Sequence, residues 1–183
     1  MSQAVFKDEF YQKLKPRLHR RIGRELRLAG RVLDLGCGAC DLVQYLARIY
    51  RQKVIGVDIS GGNFPRRRHT SNGKRFRCIR KNAKHLGFVK DASVDAVVSM
   101  WALHEMEHPE AILAEAHRVL RPGGELLIVD FPKDSFAKEL WNEEYYSPKQ
   151  VEQMVRKKDF DEVSTKVLKR GQVMWITGHR PSV

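Results

Sequence analysis

The pentapeptide His104-Glu105-Met106-Glu107-His108 spells H-E-x-x-H. On a helix that spacing puts two imidazoles on one face, where they can hold zinc while the glutamate serves as general base. His108 precedes Pro109, however, which disfavours helical conformation at His108, and no third ligand stands at a matching distance. A zinc hydrolase is therefore the remote reading. The acidic residues Asp34 and Asp58 offer different chemistry. Asp34 stands just before Gly36 and Gly38, and Asp58 follows that glycine pair by about the ~20 residues at which a carboxylate meets ribose hydroxyls in dinucleotide folds. Asp41 stands where the dinucleotide fingerprint has its third glycine, and this carboxylate together with Asp34 repels a pyrophosphate and attracts a ligand bearing positive charge. Cys37 and Cys40 form C-x-x-C, the spacing of a redox pair or half a zinc site, but no second pair follows and no metal is expected.

The elements that must position these residues are legible from periodicity. Val32 to Leu35 reads as a short buried strand, ended by the glycines. From Leu42 the apolar positions Val43, Leu46, Ala47 and Tyr50 repeat at helical spacing. Strand, glycine turn and helix in that order open an α/β nucleotide-binding fold, whose ligands sit beyond the carboxyl ends of the strands. Lys53 to Asp58, Arg75 to Arg80, Ser93 to Ser99 and Glu125 to Asp130 read as further strands. Pro109 opens a helix with Ile112, Leu113, Ala116, Val119 and Leu120 on one face, closed by Arg121-Pro122-Gly123-Gly124. Ala4 to Leu14 and Pro16 to Ala29 are expected to be two helical segments, stopped at Gly30. A short helix is expected from Asn63, ahead of the turn Ser71-Asn72-Gly73. Phe131 to Tyr146 is expected to be a long connection. Ser147-Pro148-Lys149-Gln150 matches a capping box, with a helix to about Lys157. Phe160 to Leu168 and Gln172 to His179 alternate as two strands of a terminal hairpin.

The stretch Val32 to Gly38, VLDLGCG, resembles motif I of the class I methyltransferases that depend on S-adenosylmethionine (SAM). The likeness continues through Trp101, HEMEHP and LRPGGELLIVDF with the order of motifs preserved, so it covers Arg31 to Phe131. It implies a single domain over 1–183, with a helical cap over 1–30 and a three-layer Rossmann-like core over 31–183. The implied sheet is seven-stranded and mostly parallel, with a carboxyl-terminal antiparallel hairpin. SAM, which carries an ammonium and a sulfonium, is the implied cofactor. The resemblance assigns it to Asp34, Gly36, Cys37, Gly38, Asp58, Ile59, Asn82, Ala83 and Met100. His104 is the implied base or acceptor-orienting residue, its unperturbed pKa lying nearest neutrality. Trp101, Tyr145 and Tyr146 are assigned to the substrate side. The chain departs from the family pattern at Ala39-Cys40, where a small residue and a glycine are usual, and at Asn82, where aspartate is common. The Asn82 carbonyl keeps the acceptor that an adenine amino group needs.

Composition bounds the partners. The 183 residues suffice for one substantial core, and no apolar run approaches the ~18 residues of a membrane helix. The amino terminus MSQAVFKDEF is acidic where a signal peptide is apolar, so a soluble cytoplasmic protein is expected. Net charge is +12, and no acidic residue falls between Asp58 and Asp91, a stretch that includes Arg66, Arg67 and Arg68. Such clusters can mark a nucleic-acid footprint. No aromatic-interleaved RNA-reading motif accompanies them, so a solvated basic surface is preferred and a small-molecule acceptor expected. The alternatives are an RNA- or protein-directed methyltransferase and a SAM-binding module without catalysis.

Overall fold

A computed structural model of the chain describes residues 3–66 and 75–182, with side chains from residue 9 onward. Apolar alternation along the strands decides the layers. Along β1 (Arg31–Leu35), Val32 faces one core while Leu33 and Leu35 face the other. The same alternation runs through β2 (Lys53–Asp58), β3 (Phe76–Arg80), β4 (Val94–Met100), β5 (Leu120–Asp130), β6 (Asp161–Leu168) and β7 (Val173–His179). They form one 7-stranded sheet in the order β3-β2-β1-β4-β5-β7-β6. Pairing is parallel from β3 to β5, while β7 runs antiparallel to both β5 and β6.

Helices α1 (Gln3–Glu25) and α2 (Asp41–Ile49) cover the first face, burying Leu14, Leu18, Ile22, Val43 and Leu46. Helices α3 (Pro109–Val119) and α5 (Pro148–Arg156) cover the second, burying Ile112, Leu113, Ala116, Val151 and Val155. The three layers, the seven strands and the terminal hairpin agree with expectation. No helix among the described residues is long and apolar enough to cross a membrane.

Four local readings need correction or extension. The two expected amino-terminal segments are one helix, α1, with Pro16 inside it. The buried stripe Leu14, Leu18, Ile22 and Leu26 crosses the proline at four-residue intervals, so packing holds the helix together despite the lost N–H bond. Strand β5 begins at Leu120, because Arg121 to Gly124 stays tied to the sheet although Gly123 turns to a φ of +73°: Leu120 pairs with Val94 before a register shift, the Gly123 N–H donates to the Arg180 carbonyl at 2.8 Å, and Gly124 accepts from the Arg180 N–H at 2.9 Å. The expected connection after Phe131 contains the short helix α4 (Phe136–Trp141). Residues 63–66 are not helical, and the rest of the helix expected there, with the Ser71-Asn72-Gly73 turn, lies outside the described residues. The Ser147 capping box is present: its hydroxyl accepts from the Gln150 N–H at 3.3 Å, and the Gln150 side chain accepts from the Ser147 N–H at 2.8 Å.

Candidate active site

The β1–α2 turn is pinned to the next strand, since the N–H groups of Gly36 and Cys37 both donate to the Val57 carbonyl, at 2.8 and 3.1 Å. Gly36 has φ +73°, and a Cβ there would lie 2.3 Å from the Cβ of Ala102. The loop after β4 therefore crosses so close that only glycine fits. Gly38, at φ +50°, has nothing within 4 Å of an added Cβ and faces open space. Cys40 takes the left-handed conformation, φ 61°, in front of α2, so this residue adopts the backbone that the family's glycine would supply. Its side chain is fully buried and its sulfur is bonded to that of Cys78 in β3. The C-x-x-C spacing is thus not the cysteine pair that forms. Cys37 remains a free thiol, 3.3 Å from the Cys40 sulfur, with its pKa pushed well up by burial and by the charges of Asp34 and Asp58.

Two cavities meet at this turn, sharing Gly36, Gly38 and Trp101. The larger, about 390 Å³, is also lined by Asp58, Ile59, Asn82 and Ala83 and roofed by Glu105, Met106 and Ile112. The smaller, about 180 Å³, takes in Asp34, Cys37, Met100 and, from α1, Lys15 and His19. Asp58 accepts from the Gly38 N–H through one oxygen and from the Ser60 N–H through the other, each at 2.8 Å, which fixes its carboxylate at the cavity mouth. Ile59, which lines the same cavity, is 68% exposed. The Asn82 carbonyl already accepts from the Lys84 N–H at 3.0 Å, holding the turn that presents Ala83. Asp34 is 2% exposed, and burial first and the charge of Asp58 second push its pKa up to about 7. The residues fit SAM on this evidence: neither Asp34 nor Asp58 takes part in an ion pair among the described residues, and a cationic group would relieve both.

His104 sits in a single 3₁₀ turn, Leu103–Glu105, which together with the non-helical His108 removes the zinc-protease arrangement. Its side chain is 3% exposed. Nδ1 lies 2.8 Å from Asp130 Oδ1 at the end of β5, and the His104 N–H donates to Asp130 Oδ2 at 3.2 Å. Nε2 lies 3.2 Å from Glu143 Oε2 and 3.8 Å from Glu105 Oε1. Burial alone would lower the histidine pKa, but the bond to Asp130 and the charges of Asp130, Glu105 and Glu143 outweigh it and hold the pKa above its ordinary value. His104 thus faces a carboxylate at each ring nitrogen, Asp130 at Nδ1 and Glu143 at Nε2. Tyr145 packs on it with ring centroids 4.4 Å apart and donates to Glu143 at 2.9 Å. Tyr146, expected beside it, packs instead against the second core.

Trp101, at φ 57°, stacks on Phe131 with centroids 4.9 Å apart, and Tyr11 and Trp141 complete an aromatic wall. Sequence reasoning missed Asp130 and Glu143. Asp130 carried a usable signal, for it ends a strand with a carboxylate as Asp58 does; Glu143 carried none.

The chain matches the family model described as a methyltransferase domain over residues 33–128. It belongs to that family, the class I SAM-dependent methyltransferases. It is 40% identical over 103 residues to the fatty-acid O-methyltransferase of Mycolicibacterium smegmatis, an alignment covering 55% of this chain and 36% of the relative. The chain spans less than half the length of the curated relatives it matches. Among solved structures it is similar to the [4+2]-cyclase SpnF, with a TM-score of 0.79 at 19% identity over 91% of this chain and 81% of that one. A SAM-dependent methyltransferase from Aquifex aeolicus gives 0.75 at 19% identity, covering 98% and 100%. At such identity the two structures speak for the fold alone.

Proposed function

We propose that the chain transfers a methyl group from SAM to a small, largely apolar acceptor. The observation that carries this reading is the pair of carboxyl groups, Asp34 and Asp58, which take part in no ion pair among the described residues and flank a glycine turn open to two cavities. SAM supplies a methyl carbon already activated by its sulfonium. The protein's task is then to align the acceptor and exclude water. The aromatic wall of Trp101, Phe131 and Trp141 suits an apolar acceptor, as does the likeness to an enzyme named for a fatty acid.

In this reading His104 takes the acceptor's proton at Nε2. Glu143 must first leave with the Nε2 proton; its departure also removes the negative charge that raises the histidine pKa, and the neutral ring then has Nε2 free as an acceptor. Asp130 stays on Nδ1 and keeps the ring oriented. Trp101 and Tyr145 flank the acceptor.

The test joins binding to turnover. S-adenosylhomocysteine should bind by calorimetry, and labelled SAM should yield a labelled small molecule from extract. Asp58→Ala should weaken S-adenosylhomocysteine binding by about 1.5–3 kcal/mol, the value of hydrogen bonds to a charged group. Unchanged affinity in that variant would refute the cradle assigned here.

A further inference from the structure

The strands carry opposite charge at their two ends. Asp34, Asp58 and Asp130 stand near the carboxyl ends, at the cofactor face, whereas Arg31 and Lys53 begin β1 and β2 and Arg75 leads into β3. Arg31 is in register with Lys53, and the Val54 N–H donates to the Arg75 carbonyl at 2.7 Å. Neighbouring strands lie about 4.8 Å apart, so these cations form a line roughly 10 Å long across the amino-terminal edge. That edge lies a strand length, on the order of 20 Å, from the glycine turn.

The line borders a cavity of about 350 Å³, completed by Arg77, Phe88 and Lys90 over a floor including Val32 and Val54; among the described residues no acidic side chain lines it. Lys53, Arg77 and Lys90 are exposed, and none takes part in an ion pair among the described residues. Phe88 is 42% exposed and belongs to neither core cluster. Its loop is nonetheless held in place: Arg118 donates to the carbonyls of Leu86 and Val89 at 3.1 and 3.2 Å, and Glu115 accepts from the Leu86 N–H at 2.8 Å. An exposed aromatic ring on an anchored loop, beside a row of cations, is the combination that binds a single strand, stacking a base while the cations follow the phosphates.

We propose that this cavity is a docking site for single-stranded nucleic acid, separate from the methyl-transfer site, with a base on Phe88 and the backbone along Arg31, Lys53 and Arg77. A duplex keeps its bases stacked inside and cannot reach Phe88. An acidic peptide matches the cations but leaves the ring without a stacking partner.

The test uses fluorescence anisotropy with a labelled 12-nucleotide oligouridylate. Neutralising about three phosphates gives a slope of log affinity on log salt near −2, a loss of roughly 20-fold between 50 and 200 mM salt. Lys53→Ser with Arg77→Ser should reduce that loss to roughly threefold. Phe88→Ser should weaken binding roughly 5- to 150-fold with the salt slope unchanged. S-adenosylhomocysteine affinity, unchanged in all variants, reports that they are folded. Absence of binding at 50 mM salt, equal binding of duplex RNA or polyglutamate, or indifference to Phe88→Ser would each overturn the proposal. Equal affinity for uridine monophosphate would overturn the polymer in favour of a free nucleotide.

Discussion

Replacing Asp34 with asparagine keeps the shape of the side chain while removing a carboxyl whose ionisation the fold opposes. Burial first and the charge of Asp58 second move its pKa from 3.8 up to about 7. At about 1.4 kcal/mol per tenfold change, this costs the folded state about 4 kcal/mol once the group is ionised. The sign follows from proton counting. Between pH 4 and 7 the folded protein holds a proton at Asp34 that the unfolded chain has released, so stability falls as pH rises through this window and levels off above it. The asparagine variant lacks that slope. Glu125, also pushed up to about 7 by burial and by Glu25, contributes to both proteins and cancels in the difference. Urea denaturation from pH 4.5 to 8 should therefore show the variant gaining on the wild type, by up to about 4 kcal/mol at pH 8 and less where the new amide lacks a partner. Binding should move the other way. Wild-type affinity for S-adenosylhomocysteine should fall with pH below 7, by at most tenfold per pH unit, because the carboxylate must ionise to meet an ammonium. The variant should bind more weakly at pH 8 and lose this dependence. A stability difference that is flat from pH 4.5 to 8 would refute the claim that Asp34 is a buried, uncompensated carboxyl.

His104→Ala should leave S-adenosylhomocysteine affinity within a few-fold and lower turnover ~10²–10⁴-fold, abolishing a rising limb in the pH profile; parallel loss of binding would assign the residue to cofactor packing instead. Asp130→Asn removes one of the charges that raise the His104 pKa, so that limb should move to lower pH, and an unmoved limb would separate it from the His104–Asp130 pair. Gly36→Ala should cost about 2–4 kcal/mol in thermal or urea stability from the clash with Ala102 and the left-handed backbone. Gly38→Ala meets no atom within 4 Å, so it should cost about 1–2 kcal/mol in stability and show its larger effect in S-adenosylhomocysteine binding.

The chain alone determined what depends on short-range order. Val32 to Ile49 carries its own strand, turn and helix signals, so the cofactor turn, Asp34 and the layer order are legible in the residues themselves. Asp58 is legible too, because β2 and its terminal carboxylate follow within the same parallel unit. Tertiary structure decided the rest, for these features depend on distant segments meeting. His104 meets Asp130 and Glu143 across 26 and 39 residues, and it does so because β4 and β5 are adjacent in the sheet and the chain turns back after α4. Nothing in the local pattern ranks Glu143 above Glu144. The path of α1 through Pro16 was likewise decided by the surface it packs on. The basic cavity is drawn from residues 31, 53, 75, 77, 88 and 90, which the order β3-β2-β1 brings to one edge. Along the sequence those charges resemble an ordinary solvated surface; parallel pairing, which aligns strand beginnings with one another, makes them a line.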